Sequence, residues 1–94
     1  MILEKQIFVD TSGWYAAIVN KDSDHKAARD FLHHNTSKLI TSDYVMDETV
    51  TLLQSRIGHK YAVRFLDMLQ SSQQVELIFL TPSYLKTTID LFRN

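Results

Sequence analysis

The chain has 94 residues, 45% of them hydrophobic, with two glycines and one proline, a length and composition that support one compact domain spanning 1–94 and no second one. Ten Lys and Arg against eleven Asp and Glu give a formal net charge of -1, which excludes a large basic surface for holding a polyanion. Cysteine is absent, so neither a disulfide framework nor a thiolate zinc site is available, and a reducing cytoplasm suits the chain.

Glu4 and Lys5 interrupt the start, and no apolar run approaches the ~20 residues of a spanning helix, so a cytoplasmic protein without membrane association is expected. Ile7-Phe8-Val9 is a β-branched and aromatic run that ends in Asp10-Thr11-Ser12-Gly13, the pattern of a buried strand entering a helix-starting turn. A short apolar helix over 14–19 follows, broken by Asn20-Lys21-Asp22-Ser23-Asp24. From Asp24, the residues His25, Ala28, Phe31 and Leu32 recur at helical spacing, predicting a second, amphipathic helix that ends near His34-Asn35.

Lys38-Leu39-Ile40-Thr41 predicts the second strand. Ser42 then caps a third helix, with Asp43 suited to its positive end. Met46, Val50, Leu53 and Ile57 form the apolar stripe of that helix, and Gly58 is placed to stop it in a left-handed conformation. A fourth helix carries Tyr61, Ala62, Phe65, Leu66 and Leu69, and dissolves into the polar run 70–74. The third strand is expected over 75–80, and Thr81-Pro82 starts a fifth helix with Leu85, Thr88, Ile89 and Phe92 on one side. Strands alternating with helices, without hairpin turns, imply an α/β architecture with a parallel sheet.

Ligands of such sheets bind beyond the carboxyl ends of the strands, where Asp10 and the Thr41-Ser42-Asp43 turn both fall. Glu48, early in the third helix, lies near the same edge. Two converging carboxylates supply hard oxygen ligands for Mg²⁺ or Mn²⁺, an ion that activates water and stabilises a leaving oxygen. Spacing alone favours the simpler account, with Asp10 as a helix cap and Glu48 as a solvated helix residue.

The run Ile7-Phe8-Val9-Asp10-Thr11-Ser12-Gly13-Trp14-Tyr15 resembles the opening strand and acidic turn of PIN domains of the VapC type. A second run, from Thr41 through Asp47-Glu48 to Leu53, resembles that family's strand-to-helix acidic motif, with Arg56-Ile57-Gly58-His59 following. The resemblance implies a three-layer PIN-like fold, here with about three strands and five helices, and a Mg²⁺-dependent endoribonuclease acting as the toxin of a toxin-antitoxin pair. It implies that Asp10 is the first metal-binding aspartate, Ser12 the hydroxyl residue that supports the site, and Glu48 the second-motif glutamate.

The family's further site aspartates have no counterpart before Asn94, so the domain is expected to be incomplete at its carboxyl end, with weak ion binding and impaired activity. Asp90 falls within a helical pattern and does not replace them. In the family's strand order, 3-2-1-4-5, the first strand lies between the second and the fourth, and without a fourth strand it is expected to become an edge. That edge is expected to drive homo-oligomerisation or capture of a complementing chain. The implied partners are an RNA substrate and an antitoxin protein. The alternative is a non-catalytic, degenerate PIN module that binds an antitoxin-like helix.

His33 and His34 are adjacent and cannot share a metal from one helix, so a zinc site is not expected. Lys60, Arg64 and Arg56 suggest a small phosphate-contacting strip, with a solvated helix face as the simpler account. No glycine-rich phosphate loop and no Gly-x-Ser-x-Gly elbow occurs.

Overall fold

The computed structural model describes residues 6–80. Its elements alternate as expected for an α/β domain: β1 (Gln6–Phe8), α1 (Thr11–Ile18), α2 (His25–His34), β2 (Lys38–Ser42), α3 (Asp43–Arg56), α4 (His59–Ser71) and β3 (Val75–Ile78). The expected fifth helix, from Pro82 onward, and Asp90 lie outside the described residues.

The three strands form one parallel sheet in the order β1-β2-β3. Ile7 pairs with Leu39 and Phe8 with Ile40, while Ile40 pairs with Glu76 and Ser42 with Ile78. Within the described residues β1 is therefore an edge strand. Two consecutive helices bridge each pair of strands, as parallel pairing requires.

The core gathers where α1 and α4 meet. Trp14 and Phe65 are fully buried with ring centroids 5.7 Å apart, and Leu53, Leu39 and Ala62 close around them. The Trp14 indole N–H satisfies its polar tip by donating to Thr41 Oγ1 at 3.1 Å, as a buried tryptophan needs. Thr41, also fully buried, donates in turn to the Val9 carbonyl at 3.2 Å. This relay fastens α1 and the exit of β1 to the exit of β2.

Two elements, α1 and the stop at Gly58, depart from the expected outline, while α2 follows it with an incompletely covered apolar side. The first helix starts at Thr11 instead of Trp14, because Asp10 caps it and draws the whole polar turn into the helix. The apolar side of α2 is only partly covered: none of its residues is buried, and Phe31 remains 46% exposed. Gly58 ends α3 at a φ of 132° and ψ of 163°, an extended conformation open essentially to glycine alone, rather than the left-handed helical one. Among the described residues no helix is long and apolar enough to cross a membrane.

Candidate active site

The turn after β1 carries Asp10 to the carboxyl edge of the sheet. Its backbone is extended, and its Oδ1 accepts the Gly13 N–H at 3.0 Å, which makes it the N-cap of α1. The same oxygen accepts the Ser12 hydroxyl at 2.8 Å. These bonds, the Gly13 amide foremost and then Ser12, hold the Asp10 carboxyl below the ordinary aspartate range. Asp10 is thus a solvent-exposed anion at neutral pH. Gly13 matters through closeness: a Cβ there would lie 3.0 Å from Val9 Cγ1, so that the valine side chain would have to give, while Asp10 Oδ1 at 3.6 Å would be in ordinary contact.

Glu48 arrives from α3. That helix is fixed at its start by Ser42, which is buried and whose hydroxyl accepts the Val45 N–H at 3.1 Å. Glu48 Oε1 accepts a hydrogen bond from the Thr11 hydroxyl. This contact joins residues 37 positions apart and ties Glu48 to the Asp10 turn. Thr11 is the residue that local reasoning missed; no pattern within either run announces a bond across that separation.

Two clefts adjoin the junction. One, of about 500 Å³, is lined by Asp10, Ser12, Asp22, Asp24, Leu52 and Arg56 among others. The other, of about 410 Å³, is lined by Tyr44, Asp47, Glu48, Thr51, Leu52 and Ser55. Asp10 and Glu48 therefore open on neighbouring hollows that share the Leu52 side chain, with Thr11 linking the two acids.

Other acids serve the backbone. Asp43 Oδ1 accepts the Tyr44 N–H at 2.9 Å and the Leu80 N–H at 3.1 Å, pinning the chain beyond β3 to the start of α3. Asp22 Oδ1 accepts the Asp24 N–H at 2.9 Å in the turn before α2. Among the described residues no three His, Cys, Asp or Glu side chains gather closely enough to hold a metal ion. The donors at hand are carboxylate oxygens, with one oxygen each of Asp10 and Glu48 bound to no described residue. That chemistry suits an ion such as Mg²⁺ or Mn²⁺, which keeps several of its waters.

The PIN domain family matches the chain over residues 7–94. The chain belongs to that family. Within it the chain is similar to the VapC type: it is 42% identical over 57 residues to the 23S rRNA-specific endonuclease VapC20 of two Mycobacterium tuberculosis strains, a match covering 61% of this chain and 44% of each relative. The crystal structure of Mycobacterium tuberculosis VapC20, a sarcin-ricin loop cleaving toxin, matches with a TM-score of 0.80 at 30% identity, over 94% of this chain and 67% of that one. The matched stretch spans less than half the length of the curated relatives.

Proposed function

We propose that this PIN domain is the ion-binding part of a Mg²⁺-dependent endoribonuclease of the toxin-antitoxin kind, acting in the cytoplasm. The observation that carries the reading is the Thr11 to Glu48 hydrogen bond, which holds the second acid against the turn bearing the first. Asp10, kept ionised by Gly13 and Ser12, and Glu48 would hold the ion. When bound, the ion activates water and stabilises the leaving oxygen of a phosphodiester. Ser12 orients the Asp10 carboxylate, and Thr11 limits the swing of Glu48. With two carboxylates contributed by the described site, binding of the ion is weak.

Similarity to an enzyme whose name gives 23S rRNA as its target supports RNA as the substrate class. An antitoxin protein is the corresponding regulatory partner. The side of β1 that no described strand pairs, with Phe8 55% exposed, is the edge through which the chain would self-associate or take up a complementing strand.

The test is Mg²⁺-dependent cleavage of 23S rRNA fragments by the chain and by Glu48→Gln. The expected outcome is slow, EDTA-sensitive cleavage that Glu48→Gln abolishes. Cleavage unaffected by EDTA or by that substitution would remove the reading.

A further inference from the structure

A third hollow, of about 320 Å³, opens where the end of α1, the end of α3 and the start of α4 meet, and is lined by Val19, Asn20, Lys21, Arg56, Ile57 and Tyr61. Its volume lies at the low end of the ~300–1,000 Å³ clefts that accept ligands. Two of its lining residues are cations and none is an acid. Arg64 extends the positive charge, its guanidinium carbon 5.4 Å from the centroid of the Tyr61 ring. Lys21 and Arg56 are both exposed, and among the described residues neither forms an ion pair.

Arg56 also lines the cleft that contains Asp10, together with Asp22 and Asp24. One guanidinium thus borders an acidic hollow on one side and a basic hollow on the other. A phosphate entering the acidic cleft meets three carboxylates and is repelled until a cation screens them, whereas the hollow on the other side of Arg56 is lined by two cations and no acid. A free phosphate needs only the basic hollow. A ligand that uses both must be a chain of phosphates long enough to pass Arg56, and the exposed amide of Asn20 offers a donor and an acceptor to a sugar hydroxyl.

We propose that the Lys21 and Arg56 hollow is a backbone subsite that grips phosphates of single-stranded RNA flanking the segment presented to Asp10. The assignment rests on the endoribonuclease reading for the identity of the polymer, and its binding step requires no divalent ion. The net charge of -1 makes the grip local, limited to a few phosphates, and strongly salt-dependent.

The experiment is a salt titration of the full chain binding a labelled, short single-stranded RNA, followed by fluorescence anisotropy in EDTA so that cleavage plays no part. Each neutralised phosphate contributes a slope of about -0.7 to log K against log salt for single strands. Lys21→Gln and Arg56→Gln are each expected to reduce the slope by about 0.7, and the double variant by about twice that. Arg56→Lys keeps the charge and the slope, and Lys26→Gln, exposed on α2, leaves it unchanged. Three results overturn the proposal: no RNA binding by the parent at low salt, an unaltered slope in the double variant, or an equal loss with Lys26→Gln. Binding of a glutamate-rich peptide in place of RNA overturns it as well. A slope that falls as expected in a chain that never cleaves RNA keeps the subsite and removes the endonuclease reading instead.

Discussion

After β1 the chain turns into α1 through Asp10, and after β2 it turns into α3 through Ser42 and Asp43. Both turns use a side-chain oxygen to cap an amide three residues on: Asp10 Oδ1 takes the Gly13 N–H at 3.0 Å and Ser42 Oγ takes the Val45 N–H at 3.1 Å. Their surroundings differ. Ser42 is 3% exposed, and Asp43 beside it is occupied by the amides of Tyr44 and Leu80. Asp10 faces solvent, borders a cleft and is linked through Thr11 to Glu48. Capping chemistry starts a helix in either case; the neighbours decide whether the carboxylate is used up by backbone or left open to a ligand.

The largest separation between the turns is expected from Asp10→Asn compared with Asp43→Asn. Removing the Asp10 charge should lower Mn²⁺ binding and RNA cleavage by more than the roughly 10–100-fold typical of losing an outer partner of a metal site. Asp43→Asn should leave both nearly unchanged and lower stability by about 1 kcal/mol through weaker bonds to two amides. Calorimetric Mn²⁺ titration and urea unfolding measure the two quantities. Equal losses in both assays would erase the distinction.

Thr41 couples the turns, since its hydroxyl accepts the buried Trp14 N–H and donates to the Val9 carbonyl. Thr41→Val leaves both groups without that partner and is expected to cost about 1–3 kcal/mol. An unchanged urea midpoint would show that α1 is held to β2 by packing alone. A smaller, more local effect is expected from Thr11→Val: a roughly tenfold loss of Mn²⁺ affinity, as when a bond orienting a ligand is removed, with Thr11→Ser restoring it. Equal affinity in both variants would mean that Glu48 is held by something other than the hydroxyl.

The strands and helices were legible because each carries a local period or a local stop. Leu53 and Phe65 sit on apolar stripes that the sequence displays, and both are fully buried. Phe31 also sits on such a stripe, yet it remains half-exposed, because periodicity reports which side of a helix is apolar and not what covers it. Spacing alone left Asp10 between cap and ligand, and the geometry shows why: the capping bonds use one oxygen and leave the other open, so the two descriptions are compatible. The tie between Thr11 and Glu48 and the place of Arg56 on the wall of the Asp10 cleft depend on how α1 packs against α3. No run of neighbouring residues contains that information.

The finest distinction between the turns lies in acid. The Asp10 carboxyl is held below its ordinary value by Gly13 and Ser12, so the unfolded chain binds this proton more tightly than the folded one. Its contribution to stability is therefore present above the unfolded value of about 3.9, and is lost as pH falls through the lowered folded value. The Ser42 hydroxyl does not titrate. Ser42→Ala should cost about 0.5–2 kcal/mol at every pH, whereas the penalty of Asp10→Ala should fade as the solution is acidified below the ordinary aspartate value. Exposure of Asp10 keeps the effect small through solvent screening, so it must be read as the difference between two urea series, one near neutrality and one in acid. A penalty for Asp10→Ala that stays constant across them would mean that the cap acts through shape alone, and that the turn does not maintain the ionised oxygen on which the proposed ion binding would depend.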